Sequence, residues 1–405
     1  MDPGNGKPRS GRLIGGPTIS TERRHICFPL PIAEHYGPAG GAITTVTRRL
    51  AAELTHSGHR ITVLTPDGGD DTYAEGEVHK LRFGPAKPMA LPVRKAFAFY
   101  SRAHRWASRD YAPYLRSVMS ELRKLRAPVV VCANDPVLAR IVATRMPQII
   151  VVLWLHNLME RADGAAMRSL PGEVRIIAVS QYVADWTSAE FGLPGDRITV
   201  VYSGVDSDLF CPRQDFLEPR SPLRVVSHGR IDPNKGYDIA LRAVGRLRNE
   251  GLPVEMTLIG GVQTFGWPED DLARYLAALN DAVADAQADW VGRVSHEEVA
   301  HRLREHDVAC VLSRSEDPYT LASIEAMASG CAVVGARSGG IPEAIGSAGI
   351  VVDKESVDQV AGVLRGLIGD RTALADAKAA ARNRALELTW TSTAEDLMTV
   401  IGGRP

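Results

Sequence analysis

The longest uninterrupted apolar run in this 405-residue chain, residues 149–155, is far too short to cross a bilayer. Residues 1–24 are polar and rich in Gly, Pro and Arg. They lack the apolar core of a secretory leader, so a disordered tail is expected there. Charge of the two signs nearly cancels, 47 Lys and Arg against 48 Asp and Glu, which leaves no basic excess for a nucleic-acid partner. Cysteines are few: Cys27, Cys132, Cys211, Cys310 and Cys331. An odd count without a C-x-x-C pair reads as reduced thiols in a cytoplasmic protein. No G-x-G-x-x-G follows the first strand, so a dinucleotide site is not expected.

What is present has the composition of a globular protein, 45% hydrophobic and 23% charged, with length for two domains that each bury a core. Residues 25–32 read as a strand and 35–41 as a loop ending in Gly40-Gly41. Residues 42–56 read as a helix with Ile43, Val46, Leu50 and Leu54 at helical spacing, and 61–64 as the next strand. This is a Rossmann-like opening, in which the two glycines can simply allow close packing of helix on strand. Residues 87–126 are basic and read as helical, with aromatics from Phe97 to Tyr114. Such a stretch can touch an anionic membrane but is more often a solvated face with an aromatic core side, and membrane contact is not expected.

Further strands are expected at 128–132, 149–155, 176–179 and 198–202. His156 follows the second of these; a lone histidine is usually structural, although one at the carboxyl end of a buried strand faces a crevice more readily than the core. Asp206-Ser207-Asp208 imitates a D-x-D metal motif, a three-residue pattern that chance often supplies. Residues 212–222, with Pro212, Pro219 and Pro222, read as a linker to a domain starting at 223. A strand at 223–226 then runs into Gly229-Arg230-Ile231-Asp232-Pro233-Asn234-Lys235-Gly236. Arg230 and Lys235 flank a Pro-Asn turn. They are either two surface charges or a guanidinium and an ammonium converging on one anion such as a diphosphate.

Residues 308–353 repeat strand, loop, helix twice. A buried strand at 308–312 ends in a polar turn, a helix runs from near Thr320 to Gly330, a second strand covers 331–336, and Ser338-Gly339-Gly340 leads to a third at 349–353. Two such loops at strand ends form an anion-binding crevice if the free N–H groups of 319–322 and 339–341 face one ligand. Asp317 and Glu325 are eight positions apart, one at the mouth and one on the helix. They can equally be a capping aspartate and a solvated glutamate.

The run D-P-Y-T-L-A-S-I-E-A-M-A-S-G at 317–330, with S-G-G-I-P-E after it and G-R-x-x-x-x-K-G before it, resembles the E-x7-E region of retaining glycosyltransferases of family 4. The resemblance implies an α/β protein of the GT-B fold, two Rossmann-like domains facing a cleft. The first would span 25–211 and shape the acceptor site, and the second would span 223–389 and bind a nucleotide sugar, with residues 390–405 packing back on the first. It implies Arg230 and Lys235 on the diphosphate, Glu325 on the ribose and Asp317 on a sugar hydroxyl. His156 would contact the transferred sugar, and Gly40, Gly41, Gly229, Arg293, Tyr319, Thr320 and Leu321 would lie around the donor. The setting of Asp206 resembles the family's interdomain segment, so no metal and no cofactor beyond the nucleotide sugar is expected. Two departures stand out: Asp317 replaces a Glu, and Thr320 stands where the family usually has Gly, which narrows the room beside the sugar.

The expected activity is retaining transfer from a UDP- or GDP-sugar to a small polar acceptor, as in specialised-metabolite biosynthesis. No pair of residues identifies itself as nucleophile and base. In the family the leaving phosphate is thought to take the acceptor's proton. A nucleotide-sugar epimerase or phosphorylase on a similar fold, or a non-catalytic nucleotide-sugar binder, are the rival readings.

Overall fold

A computed structural model of the chain describes residues 23–38, 40–67, 72–83, 111–218, 220–263 and 267–403. Most of the expected tail and the first part of the basic 87–126 stretch lie outside them. The remainder of that stretch forms the helix Tyr111–Leu125.

Seven parallel strands make the first sheet: β1 (His25–Pro29), β2 (Arg60–Pro66), β3 (Glu77–Leu81), β4 (Val129–Ala133), β5 (Ile150–Leu155), β6 (Arg175–Ala178) and β7 (Ile198–Val200), in the order β3-β2-β1-β4-β5-β6-β7. The second has six: β8 (Leu223–His228), β9 (Val254–Ile259), β10 (Asp289–Gly292), β11 (Val308–Val311), β12 (Ala332–Ala336) and β13 (Ile350–Val352), ordered β10-β9-β8-β11-β12-β13. Strands β4, β5 and β12 are near-continuous apolar runs, buried almost throughout, because helices cover both faces of each sheet. Helix Tyr237–Asn249 shows the other half of that pattern. Ile239, Leu241, Val244 and Leu247 are buried, while Arg242 and Asn249 face water.

Strand order reverses between β1 and β4 in the first sheet and between β8 and β11 in the second. Crevices open where connections leave in opposite directions, beyond the carboxyl ends of the strands. In the second sheet the loops at that point are 229–236 and 312–320, which carry Arg230, Lys235 and Asp317.

The strand β3 is not legible in the sequence, and Arg293, expected around the donor, follows edge strand β10 directly. The last helix, Trp390–Gly402, places Trp390, Ala394, Leu397 and Ile401 in the core of the first sheet. The chain crosses over where a Cβ on Gly204 would lie 2.3 Å from the Thr389 carbonyl carbon. Beneath the second sheet Lys378 and Asp307 form a buried ion pair at 2.7 Å.

The carboxyl ends of the two sheets meet. Ser180, following β6, donates its hydroxyl to the Pro318 carbonyl at 2.6 Å. Glu343, following β12, accepts from the N–H groups of Gln181 (2.6 Å) and Tyr182 (3.2 Å) and from the Tyr202 hydroxyl (2.6 Å). A carboxylate from one half thus sits at the positive N-terminus of helix Gln181–Phe191 in the other. No helix among the described residues is long and apolar enough to cross a membrane.

Candidate active site

Backbone contact shapes the 229–236 loop. Gly229 has φ +129°, and a Cβ on Gly260 would stand 1.9 Å from the Gly229 carbonyl oxygen, so the ends of β8 and β9 touch without side chains. Asp232 caps the turn Pro233–Lys235 by accepting from the Asn234 N–H at 2.9 Å. Gly236 follows with φ +65°, where a Cβ would lie 2.2 Å from the Leu312 carbonyl oxygen. That close approach to the end of β11 brings Lys235 to Asp317, Nζ to Oδ2 2.6 Å, and Ser313 donates to the same oxygen at 3.0 Å. Arg230 does not join them. It is 65% exposed, and among the described residues its ion-pair neighbour is Asp232 at 3.7 Å.

One residue that the sequence reading missed registers the two loops. Arg314 makes a two-pronged contact with Asp238 (2.8 and 2.7 Å), donates to the Pro233 carbonyl, and gives its own N–H to the Asn234 carbonyl at 2.7 Å. Asp238 is buried in the first turn of its helix, so this fork fixes loop 229–236 against loop 312–320. Its signal in the sequence was an arginine beside the first acid of the motif, with no indication of its partner.

Thr320 is the N-cap of helix Leu321–Ala328, buried and without a side-chain capping bond. The first-turn N–H groups of that helix find no acceptor among the described residues, which leaves a partial positive charge beside Lys235 and Asp317. The second loop behaves differently from expectation. Gly339 donates its N–H to the Glu316 carboxylate at 2.6 Å, Gly340 to the Asp317 carbonyl at 2.7 Å and Ile341 to the Ser338 carbonyl at 3.1 Å. These amides brace the acid-bearing loop and are not open to a ligand. A Cβ on Gly339 would be 2.2 Å from the Asp317 carbonyl oxygen, which is why the pair is glycine.

Glu316, the neighbouring acid, is turned away toward Gly339 and Lys354, so Asp317 is the carboxylate beside Lys235. The side chains of Tyr319 and Leu321 pack at the junction between the halves. Tyr319 stacks on Tyr202 with centroids 5.9 Å apart, and Leu321 touches a core on either side.

Glu325 is not a bare carboxylate on the helix face. Its Oε1 is 2.9 Å from His296 Nε2 and its Oε2 is 3.2 Å from His228 Nε2. Burial acts to raise its pKa, but the two imidazole hydrogen bonds outweigh that and hold it down to about 2. Neither histidine stood out in the sequence. Arg293 is exposed just beyond β10, where the Trp290 indole closes on the Gly260 carbonyl at 3.0 Å.

On the first sheet, the His156 ring stacks on Trp154 with centroids 5.0 Å apart, and the His156 backbone N–H donates to Asn134 Oδ1 at 2.7 Å. Asn134 holds that position through a left-handed backbone, φ +51°, which Asn tolerates better than most residues. Burial drives the His156 pKa down to about 3, so the ring is neutral at physiological pH. Among the described residues it makes no hydrogen bond to Asp317 or Glu325. The N–H of Gly40 is taken by the Gly37 carbonyl and that of Gly41 by the Glu34 carboxylate at 3.0 Å. Glu34 therefore stands at the N-terminus of helix Ala42–His56, beside the two glycines that the resemblance places around the donor. Asp206 is bound to Arg49 at 2.7 Å and accepts from the N–H groups of Asp208 and Leu209.

Two open parallel sheets with their carboxyl ends opposed, and a lysine, an acid and a free helix N-terminus at the switch point of one, define the GT-B architecture. Residues 39–209 match glycosyltransferase family 4 and residues 212–384 match glycosyl transferases group 1. The MMP α-(1→4)-mannosyltransferase of Mycolicibacterium hassiacum is 30% identical over 69% of this chain and 66% of its own. The D-inositol 3-phosphate glycosyltransferase of Stackebrandtia nassauensis is 32% identical over 57% and 56%. Anabaena HepE, solved in complex with UDP and glucose, superposes with a TM-score of 0.69 at 16% identity, covering 93% of this chain and 98% of that one. The chain belongs to the family 4 glycosyltransferases. It spans between half and two thirds of the length of those two curated relatives.

Proposed function

We propose that the protein transfers a sugar from a UDP- or GDP-sugar to a small polar acceptor with retention of anomeric configuration, without a metal, in the cytoplasm. The observation that carries this reading is the Lys235–Asp317 contact at 2.6 Å beside the uncapped N-terminus of helix Leu321–Ala328. Departure of a nucleoside diphosphate builds negative charge, and fixed donors aimed at that charge lower the barrier. Lys235 has three donor hydrogens and uses one on Asp317, leaving two for phosphate oxygens. Arg230, exposed at the start of the same loop, swings in as the second cation. Asp317 receives Lys235 and Ser313 on Oδ2, so Oδ1 is left for a sugar hydroxyl. A neutral His156 offers the sugar a hydrogen bond from the other half. The leaving phosphate takes the acceptor's proton.

The names of the relatives support the substrate classes. One is a mannosyltransferase forming an α-(1→4) linkage, several act on D-inositol 3-phosphate, and the Anabaena neighbour binds UDP. The test is a thermal-shift panel of UDP-, GDP- and ADP-sugars. Mass spectrometry with inositol phosphate and other small polyols follows, and NMR of the product anomer completes it. Stabilisation by one nucleotide class and an α-linked product support the reading. No shift with any nucleotide sugar and no nucleoside diphosphate released overturn it.

A further inference from the structure

His228, Glu325 and His296 form a three-membered cluster that the reading above leaves unexplained. His228 is the last residue of β8, immediately before Gly229 and Arg230, and His296 opens the helix His296–Leu303 three residues after Arg293. Each imidazole takes a different oxygen of the same carboxylate, at 3.2 and 2.9 Å. The side chains of His228 and Glu325 are 4% and 13% exposed, that of His296 35%. Phe210 meets the His296 ring edge-on at 4.9 Å and keeps it from swinging away.

A carboxylate held by one hydrogen bond can rotate about its last torsion. One held on both oxygens by donors from two different elements cannot. Each oxygen accepts more than one hydrogen bond, so after the two imidazoles an acceptor position remains on both. We infer that His228 and His296 are positioning residues, which lock the plane of Glu325 so that its two remaining acceptor positions receive the 2′- and 3′-hydroxyls of the donor ribose. This rests on the nucleotide-sugar reading of the site. It adds that discrimination for a ribose is set by two histidines that need not touch the ligand. Because His228 precedes the diphosphate loop directly, the same strand end fixes both anchors of the nucleotide.

The experiment is calorimetry of the full chain with UDP, GDP and their 2′-deoxy counterparts, on the wild type, His296→Phe and His296→Gln. The wild type is expected to prefer the ribonucleotide by roughly tenfold, the scale of one lost hydrogen bond to a charged group. His296→Phe, which keeps the packing on Phe210 and removes the donor, should bring the ratio below about threefold, and His296→Gln, which restores an N–H donor, should recover most of it. His228→Leu, which removes the donor on the other carboxylate oxygen, serves as the second variant should His296→Phe melt at a much lower temperature. If the wild type discriminates and His296→Phe and His228→Leu discriminate equally well, the positioning role is overturned while the nucleotide reading stands. A wild-type ratio of one overturns the ribose role of Glu325 and this inference with it. Failure of UDP and GDP to bind at all overturns the functional reading itself.

Discussion

Lys235 Nζ touches Asp317 Oδ2 at 2.6 Å, so the cation assigned to the diphosphate and the acid assigned to the sugar are one ion pair. Removing either one therefore changes what the other does. Lys235→Ala and Arg230→Ala should each lower kcat by roughly 10²–10³, about 2–4 kcal/mol of stabilisation of the departing diphosphate charge. Lys235→Ala also leaves Asp317 with Ser313 as its remaining side-chain partner, so its KM for the donor should rise as well. Steady-state kinetics on the folded variants decide this, and near-normal turnover in both would remove the diphosphate role.

His156 stands on the opposite half from the nucleotide anchors and is neutral, so it should act on the sugar and not on the nucleotide. His156→Ala is expected to lower kcat by roughly 10- to 1000-fold while affinity for the bare nucleoside diphosphate changes less than about threefold. The melting curve of the variant must match the wild type, since the ring also packs on Trp154. Unchanged kcat would make it a packing residue at a strand end.

Two groups predict acid sensitivity in overlapping windows. His156 has a folded pKa of about 3 against an ordinary 6.5, so between those values the unfolded chain holds a proton that the folded chain does not, and stability falls as pH drops from 6.5. Glu325 is depressed to about 2 from 4.5, so its contribution is present above 4.5 and is lost as pH falls through 2. Tm should decline steadily below pH 6.5. His156→Gln should flatten the upper part of that decline and Glu325→Gln the lower part. A Tm–pH curve for His156→Gln that overlays the wild type would mean that His156 titrates normally in the folded state.

The expected tolerance of chelators follows from the cations already present. Of the Asp206-Ser207-Asp208 pattern that imitates a metal motif, Asp206 is held by Arg49 and by the N–H groups of Asp208 and Leu209. Turnover should persist in EDTA, because Lys235, Arg230 and a helix N-terminus offset the diphosphate charge. Loss on chelation with recovery on adding Mg²⁺ or Mn²⁺ would restore a metal role.

Periodicity and glycine placement made the scaffold legible. Helix Ala42–His56 and the strand-helix-strand order of 308–353 follow from apolar spacing, and Gly330 ends its helix with φ +86°. The family motif singled out Lys235, Asp317 and Glu325. What could not be read is partnership across long separations. Nothing local says that Arg314 grips Asp238, or that two histidines 68 positions apart hold one carboxylate. The N–H groups of Gly339 and Gly340 were misassigned for the same reason: a loop that braces another loop has the same composition as one that cradles an anion. Short, polar β3 lacked the alternation that marks a strand.

The packing of Trp390, Leu397 and Ile401 into the first sheet has a consequence for synthesis. The ribosome completes β7 roughly 190 residues before it delivers that helix, a wait of about 10–40 s at 5–20 residues per second. Throughout that interval the amino-terminal half has an uncovered apolar groove, while the core layers of the second domain are supplied by one continuous stretch from Val205 to Leu388. The domain whose strands are made first is therefore the one finished last, and a chain ending at residue 389 would leave an apolar groove open on its first domain while holding every residue of its second domain's core.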